Sequence, residues 1–356
     1  MLIFRGIHYP GIAPACALTI GNFDGVHRGH QAMLALLKSE ALHRGVPSCV
    51  MTFEPHPRDY FAKASGRAEL APARIGTLRD KLSELARCGV DQTIVLPFRA
   101  KLASKSAESF IHDILVHGLG ARYVLVGDDF RFGAKRAGDY AMLDAAGAEM
   151  GFDVARMNSY EVPVVHAKSG PDHALQRQSL RVSSSAVREA LAEGRMDDAA
   201  RLLGRPYSIS GHVVHGRKLG RELGFRTINL RFSHWKPAAS GIFAVLVHGL
   251  ADKPLTGVAN LGVRPSIDPD DVNGGRVLLE THCLDWPATG GAEGGYGKIV
   301  RVELLHKLHD ELKYDGLDAL KAGIARDCDD ARAYFAATHA QTSRQTTRDR
   351  IQRGDE

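Results

Sequence analysis

Thr19-Ile20-Gly21-Asn22-Phe23-Asp24-Gly25-Val26-His27-Arg28-Gly29-His30 is the stretch on which the reading of this chain turns. Ahead of it, Ala15 to Ile20 (ACALTI) is a short apolar run of the kind that forms a buried strand. After it, Met33, Leu34, Leu36, Leu37 and Leu42 recur at helical spacing, which predicts an amphipathic helix over Gln31 to His43. Gly21, Gly25 and Gly29 therefore belong to a strand-to-helix turn, where a missing Cβ lets the backbone approach a ligand closely. A helix start adds unpaired N–H groups and the positive end of the helix dipole, which suit a phosphate. His27 and His30 share a face if the first turn is helical. Two imidazoles, Arg28 and a helix N-terminus read together as a polyphosphate clamp. Taken singly, the glycines make a structural turn and the histidines an ordinary surface pair. Zinc would need further ligands, and no Cys or third His lies nearby.

Working outward, the alternation of strand and helix continues to about residue 155. Ser48 to Phe53, Gln92 to Leu96 and Tyr123 to Val126 read as buried strands; Ile75 to Arg87, Ser106 to Val116 and Asp139 to Met150 read as helices. That order predicts a parallel, Rossmann-like sheet with helices on both faces. Ligands in such sheets collect beyond the carboxyl ends of the strands, where two further stretches fall. Thr52-Phe53-Glu54-Pro55-His56-Pro57 has an extended, proline-fixed exit from which Phe53 and His56 can face a planar ligand; its plain reading is a Pro-rich turn. Gly127 to Gly133 sets Asp128 and Asp129 between glycines, with Phe130 and Phe132 able to pack beneath a ring; its plain reading is a loop. Further on, Arg181-Val182-Ser183-Ser184-Ser185-Ala186-Val187-Arg188 precedes a helix and offers a second anion cradle, Arg forks for phosphate oxygens and serines for capping. The polar segment Lys168 to Gln178 reads as a surface loop.

Past Gly204-Arg205-Pro206 the period changes. Tyr207 to Val214, Ile242 to Val247, Leu255 to Ala259, Val277 to His282 and Ile299 to Leu305 are short β-like runs separated by Gly, Pro and Asp, a spacing that predicts a small antiparallel barrel. A helix over Leu317 to Ala337 closes it, and His339 to Glu356 is polar, mixed in charge and expected to be disordered. Gly216, Arg217, Lys218, Gly220, Arg221 and Gly224 form a basic glycine loop that suits phosphates. It lacks the Gly-Lys-Ser/Thr order of a Walker loop. Glu280 stands in an apolar strand, either as a group at the barrel mouth or as a paired structural acid.

A chain of 356 residues, 44% hydrophobic and 24% charged, is expected to form two globular domains. A net charge of +5 without a block of like charges fits anionic small molecules and does not ask for nucleic acid. The five cysteines are scattered with no CxxC pair, which points to a reducing compartment and away from a disulfide or zinc framework. With no signal-like N-terminus and no membrane-length apolar run, a cytoplasmic protein is expected. The sequence says nothing of oligomeric state.

GNFDGVHRGH (21–30) closely resembles the nucleotidyltransferase motif of prokaryotic bifunctional riboflavin kinase/FAD synthetases. Other segments resemble that family in order along residues 15 to 338: the TFEPHP and GDDFRFG loops, RVSSSAVR, GRKLGRELGFRTINL and GVANLGVRPS. The resemblance implies an FMN adenylyltransferase domain over 1–187, a riboflavin kinase barrel over 188–338, and a tail over 339–356. It implies two ATP-dependent reactions, riboflavin to FMN and FMN to FAD, both served by Mg²⁺. For the adenylylation site it assigns Gly21, Asn22, Phe23, Asp24, Gly25, His27, Gly29, His30, Arg181, Ser184 and Arg188 to nucleotide phosphates, Asp129 to a nucleotide or the flavin phosphate, and Phe53, His56 and Phe130 to the flavin. For the kinase site it assigns Gly216, Lys218, Gly220 and Arg221 to ATP phosphates, Thr227 and Asn229 to Mg²⁺, and Glu280 as general base. Arg226 stands where the family has Pro and Ile228 where it has Ala. That departure leaves an alternative open: an adenylyltransferase whose kinase half only binds flavin.

Overall fold

The structure, a computed structural model, describes residues 1–166, 176–215, 224–264, 276–286 and 295–353. Strand β2 (Cys16–Ile20) is buried along its whole length, as an unbroken apolar run must be when helices cover both faces of a sheet. Around it β1 (Leu2–Phe4), β3 (Ser48–Glu54), β4 (Gln92–Pro97), β5 (Ala121–Gly127) and β6 (Asp153–Met157) form a six-stranded sheet in the order β1-β4-β3-β2-β5-β6. Every pairing in it is parallel. The chain runs from β2 outward to β3 and β4, then crosses back to β5 beside β2. The strand order thus reverses at β2/β5, the place in an open α/β sheet where ligands bind.

Helix α1 (Arg28–His43) begins at Arg28, three residues ahead of the expected start, with His27 as its cap. Leu34, Leu37 and Ala41 pack with Phe23, Val50, Leu85 and Leu125 on one face of the sheet. Each buried Leu contributes roughly 1.5–3 kcal/mol. Leu36 and Leu42, counted in the apolar pattern of the sequence, instead face solvent at 51% and 84% exposure. The buried stripe needs only one side of the helix. Helices α2 (Pro57–Ala64), α3 (Leu78–Arg87), α4 (Ala100–Ala103), α5 (Ala107–Ser109) and α6 (Tyr140–Met150) follow. Phe110–Val116 continues α5 in wider π-type turns whose Phe110, Ile111, Ile114 and Leu115 fill the opposite face of the sheet. β7 (Glu161–His166) and β8 (Gln176–Arg181) form an antiparallel hairpin, so Gln176–Gln178 belong to a strand rather than to the expected loop.

By contacts the chain divides into Met1–Val187 with Leu202–Gly204, and Arg188–Arg201 with Arg205–Glu356; the division falls inside α7 (Ser184–Ala192), which α8 (Met196–Leu203) follows. In the second unit β9 (Tyr207–Val214), β10 (Thr227–Arg231), β11 (Gly241–His248), β12 (Leu255–Arg264), β13 (Arg276–Cys283) and β14 (Ile299–His309) close into an antiparallel barrel ordered β10-β13-β12-β11-β14-β9. The pairing of β9 with β10 shuts it. Alternate residues, among them Phe243, Val245, Leu261 and Leu279, are fully buried. On the opposite face of the strands, Ile242, Ala244 and Val258 are covered by Ile324, Cys328, Ala331, Tyr334 and Phe335 of α9 (Leu317–Arg353). This helix runs on through residues 339–353, for which no structure was expected. No Pro or Gly interrupts it after Gly323.

Candidate active sites

In the first unit the chain leaves β2 on a turn that is strained. Phe23 (φ 48°) and Val26 (φ 40°) take left-handed backbone angles that branched and aromatic residues rarely adopt, with Gly25 (φ 82°) between them. Both side chains are wholly buried, and that packing offsets the strain. Three side chains grip alternate carbonyls of the turn. Thr52 Oγ1 donates to Asn22 O (3.2 Å), Ser184 Oγ to Asp24 O (2.9 Å) and Gln31 Nε2 to Val26 O (2.9 Å). Ser184 thus joins the serine-rich segment to the opening motif across 160 residues of sequence.

The turn delivers His27 as the N-cap of α1, its Nδ1 accepting from His30 N at 3.3 Å. An accepting Nδ1 carries no proton, so in the neutral ring the proton sits on Nε2. The His30 ring stacks on His27 at 3.7 Å with 14° between planes, and lies 4.9 Å from Phe23. Burial, then the neighbouring His27 and Lys81, hold the His30 imidazole well below its ordinary pKa. It is neutral at neutral pH, and its buried Nδ1 has no hydrogen-bond partner among the described residues. Arg181, exposed at the end of β8, pairs with Asp128 at 3.4 Å, and Asp128 also accepts from Ser159 Oγ at 2.7 Å. Asp129, favoured by the sequence, is the exposed neighbour of that pair.

In the second unit strand register does the work of assembly. Asn229 on β10 and Asn260 on β12 both stand opposite Glu280 on β13, making a polar row across three strands. Thr227 Oγ1 donates to Glu280 Oε1 at 3.1 Å. Asn229 is 4% exposed, and its buried Oδ1 has no hydrogen-bond partner among the described residues. The Arg226 guanidinium lies 4.2 Å over the Trp286 ring, and the Arg226 carbonyl meets His282 Nδ1 at 2.8 Å. Gly216, Lys218, Gly220 and Arg221 lie outside the described residues.

A family model described as FAD synthetase matches residues 10–169, and one described as riboflavin kinase matches residues 203–335. The bifunctional riboflavin kinase/FMN adenylyltransferase of Escherichia coli K12 is 44% identical over 340 residues, covering 95% of this chain and 99% of its own. This chain belongs to that bifunctional family. The Haemophilus influenzae member is 40% identical over 336 residues, 94% of this chain and 99% of its own. A solved structure described as a macrolide-efflux protein from Streptococcus pneumoniae aligns with a TM-score of 0.66 over 93% of this chain and 98% of that one; at 24% identity the likeness is one of fold.

Within this bifunctional chain, the residues expected at the flavin have partners inside the fold. His56 is buried at 4% exposure and caps α2, its Nδ1 accepting from Arg58 N at 3.1 Å. Burial and then Arg74 lower its pKa to about 4. Phe53 packs edge-on against Phe98 (5.7 Å), and Phe130 stacks on Phe132 (5.4 Å). The most open ring of this aromatic group is Phe61, 53% exposed and 5.8 Å from Phe98. Arg188 falls in the second compact unit, half-buried on α7. Sequence reasoning missed two buried cations, Arg74 and Lys81, each 4% exposed. Lys81, one of three basic residues in Leu78–Arg87 (LRDKLSELAR), carries no local mark of burial, and the sequence signal nearby was the Thr-x-x-Asp capping box that fixes where α3 starts.

Proposed function

We infer that one chain carries both reactions of its family, phosphorylating riboflavin to FMN with ATP and adenylylating FMN to FAD. The observation that carries the kinase half is the Thr227–Glu280 hydrogen bond beside Asn229: the polar row is assembled despite Arg226. In the first reaction Glu280 accepts the proton of the ribityl 5′-hydroxyl. That oxygen attacks the γ-phosphorus of ATP, its bond to the β-bridging oxygen breaks, and ADP leaves. In the second, a phosphate oxygen of FMN attacks the α-phosphorus of ATP, the α–β bridge breaks and pyrophosphate departs. His27 and His30, with Arg181, hold the polyphosphate and meet the charge that develops on it, while Ser184 steadies the turn through its bond to Asp24 O. No covalent protein intermediate is required, and no Ser or Cys takes a nucleophile's part.

Thr227 and Asn229 would hold Mg²⁺. Both offer uncharged oxygen, as a hard cation prefers, and the orphaned Oδ1 of Asn229 has a free acceptor position. When bound, the ion neutralises charge on the ATP phosphates. The substrates are small molecules, with no nucleic-acid partner. We place the protein in the cytoplasm: all five cysteines are free, and among the described residues no helix is long and apolar enough to cross a membrane. A chromatographic product assay with Mg²⁺ and ATP tests the reading, one tube given riboflavin and one FMN. FMN and FAD from riboflavin are expected. FAD from FMN alone would reduce the chain to an adenylyltransferase with a binding-only kinase half.

A further inference from the structure

Buried charge gathers beneath the phosphate turn, and its two cations, Arg74 and Lys81, lie outside the phosphate motifs of the sequence. Lys81 sits on α3 directly after its capping box, in which Thr77 Oγ1 accepts from Asp80 N (3.2 Å) and Asp80 Oδ2 from Thr77 N (3.0 Å). Its Nζ donates to Thr52 Oγ1 at 3.3 Å, and Thr52 passes the contact on to Asn22 O at 3.2 Å. The other charged groups facing it are Arg74, Asp24, Glu54 and Asp59. Arg74 is itself engaged by Glu54 (3.4 Å) and Asp59 (3.3 Å). His30 and His56 both feel the Lys81 charge. Keeping an ammonium in such a place carries a hydration penalty that a Leu or Met at the same position would not incur. A side chain that only filled space would not need the charge.

We propose that Lys81 is a positioning residue for adenylyl transfer. Through Thr52 it fixes the Asn22 end of the strained turn that aims His27 and His30, and it keeps a positive charge in reach of that pair. The proposal rests on the reading of this turn as the adenylyltransferase site. Two consequences separate it from a packing role. First, Asn22 O loses its anchor when Thr52 is cut back, the Thr52 hydroxyl loses the donor that orients it when Lys81 is, and in either case the turn loses alignment with the phosphates. Second, Lys81 is one of the groups that keep His30 neutral. Protonation of His30 as pH falls removes activity, so taking the Lys81 charge away raises the pH at which that loss occurs. Lys81 itself is lowered to about 8, by burial first and Arg74 second, and so remains charged over the range in which His30 would titrate.

The test uses the full chain and follows FAD formation from FMN and ATP across pH for the wild type, Lys81→Met, Lys81→Arg and Thr52→Val. Riboflavin phosphorylation and thermal melting are followed in parallel. Lys81→Met is expected to lower kcat for FAD formation about 10- to 100-fold, the scale of a small misplacement of reacting groups. Its acid limb should move to higher pH while riboflavin phosphorylation holds. Lys81→Arg restores the acid limb. Thr52→Val, close in shape but unable to hydrogen-bond, lowers the rate and leaves the limb in place. Wild-type rate and an unmoved limb in Lys81→Met would overturn the proposal. So would a rate loss with an unmoved limb that only follows a lower melting temperature. Should Lys81→Met fail to fold, Lys81→Arg and Thr52→Val decide: a limb displaced in the former, or full rate in the latter, overturns it. A wild-type chain that makes no FAD at all would instead sink the reading of the turn, and the proposal with it.

Discussion

The two phosphate-handling regions of this chain are built on opposite plans. In the α/β unit the chemistry is packed into consecutive residues, and a strained turn aims it. Phe23 and Val26 are held at positive φ, the carbonyls of Asn22, Asp24 and Val26 are tied back, and two imidazoles stack at a helix start. In the barrel the polar groups are scattered in sequence, and strand register brings Asn229, Glu280 and Asn260 into line. A turn of the first kind answers to the packing beneath it. A row of the second kind answers to pairing, since a slip of one residue would send every member to the other face of its strand. The lesson is that one chain can reach phosphate by backbone geometry in one place and by sheet register in another, and the two should fail independently.

The largest separation is expected for Glu280→Ala. Losing the proton acceptor should cut riboflavin phosphorylation by roughly 10²–10⁴-fold, the usual worth of general base catalysis, while added FMN still becomes FAD. A product assay with each flavin in turn reads this directly, and riboflavin phosphorylation at full rate would remove Glu280 as the base. His30→Ala is the mirror experiment. It should lower FAD formation by about 10²–10³-fold, the scale of one lost transition-state donor, and leave FMN formation nearly intact. Unimpaired FAD synthesis would end the clamp assignment. Arg226→Ala should show the smallest effect. With its guanidinium on Trp286, the substitution removes a contact worth about 0.5–1 kcal/mol, read as a small drop in melting temperature, and leaves the kinase rate within a few-fold. A kinase rate lowered tenfold or more would mean that Arg226 reaches the phosphates.

The opening motif was legible because its chemistry-bearing residues are neighbours in sequence and flanked by a clean strand and helix. The barrel was legible from its repeated short apolar runs, although β10 went unlisted among them because Thr227–Arg231 offers only a brief alternation inside a basic loop. Where sequence reasoning missed, the cause was distance along the chain. Nothing in the sequence around Arg226 marks that its guanidinium lies over Trp286, far along the chain. His56 looked like a ligand-facing ring, yet capping α2 turns its Nδ1 to the backbone. Leu36 and Leu42 fitted a helical period and still face solvent, because period alone does not say how wide the buried stripe is.

By itself the sequence determined the two architectures, the change from one to the other near Gly204, and the residues able to carry each chemistry. Those follow from local periodicity, turn-forming residues and the fixed donor inventory of each side chain. Only the tertiary structure decided protonation, partnership and aim. Whether His30 is neutral depends on burial and on Lys81, whether Thr52 can hold the turn depends on a lysine 29 residues away, and which carboxylate meets Arg181 depends on a strand crossing. Desolvation and Coulomb forces act through space, and the order of residues does not record which groups they will bring together.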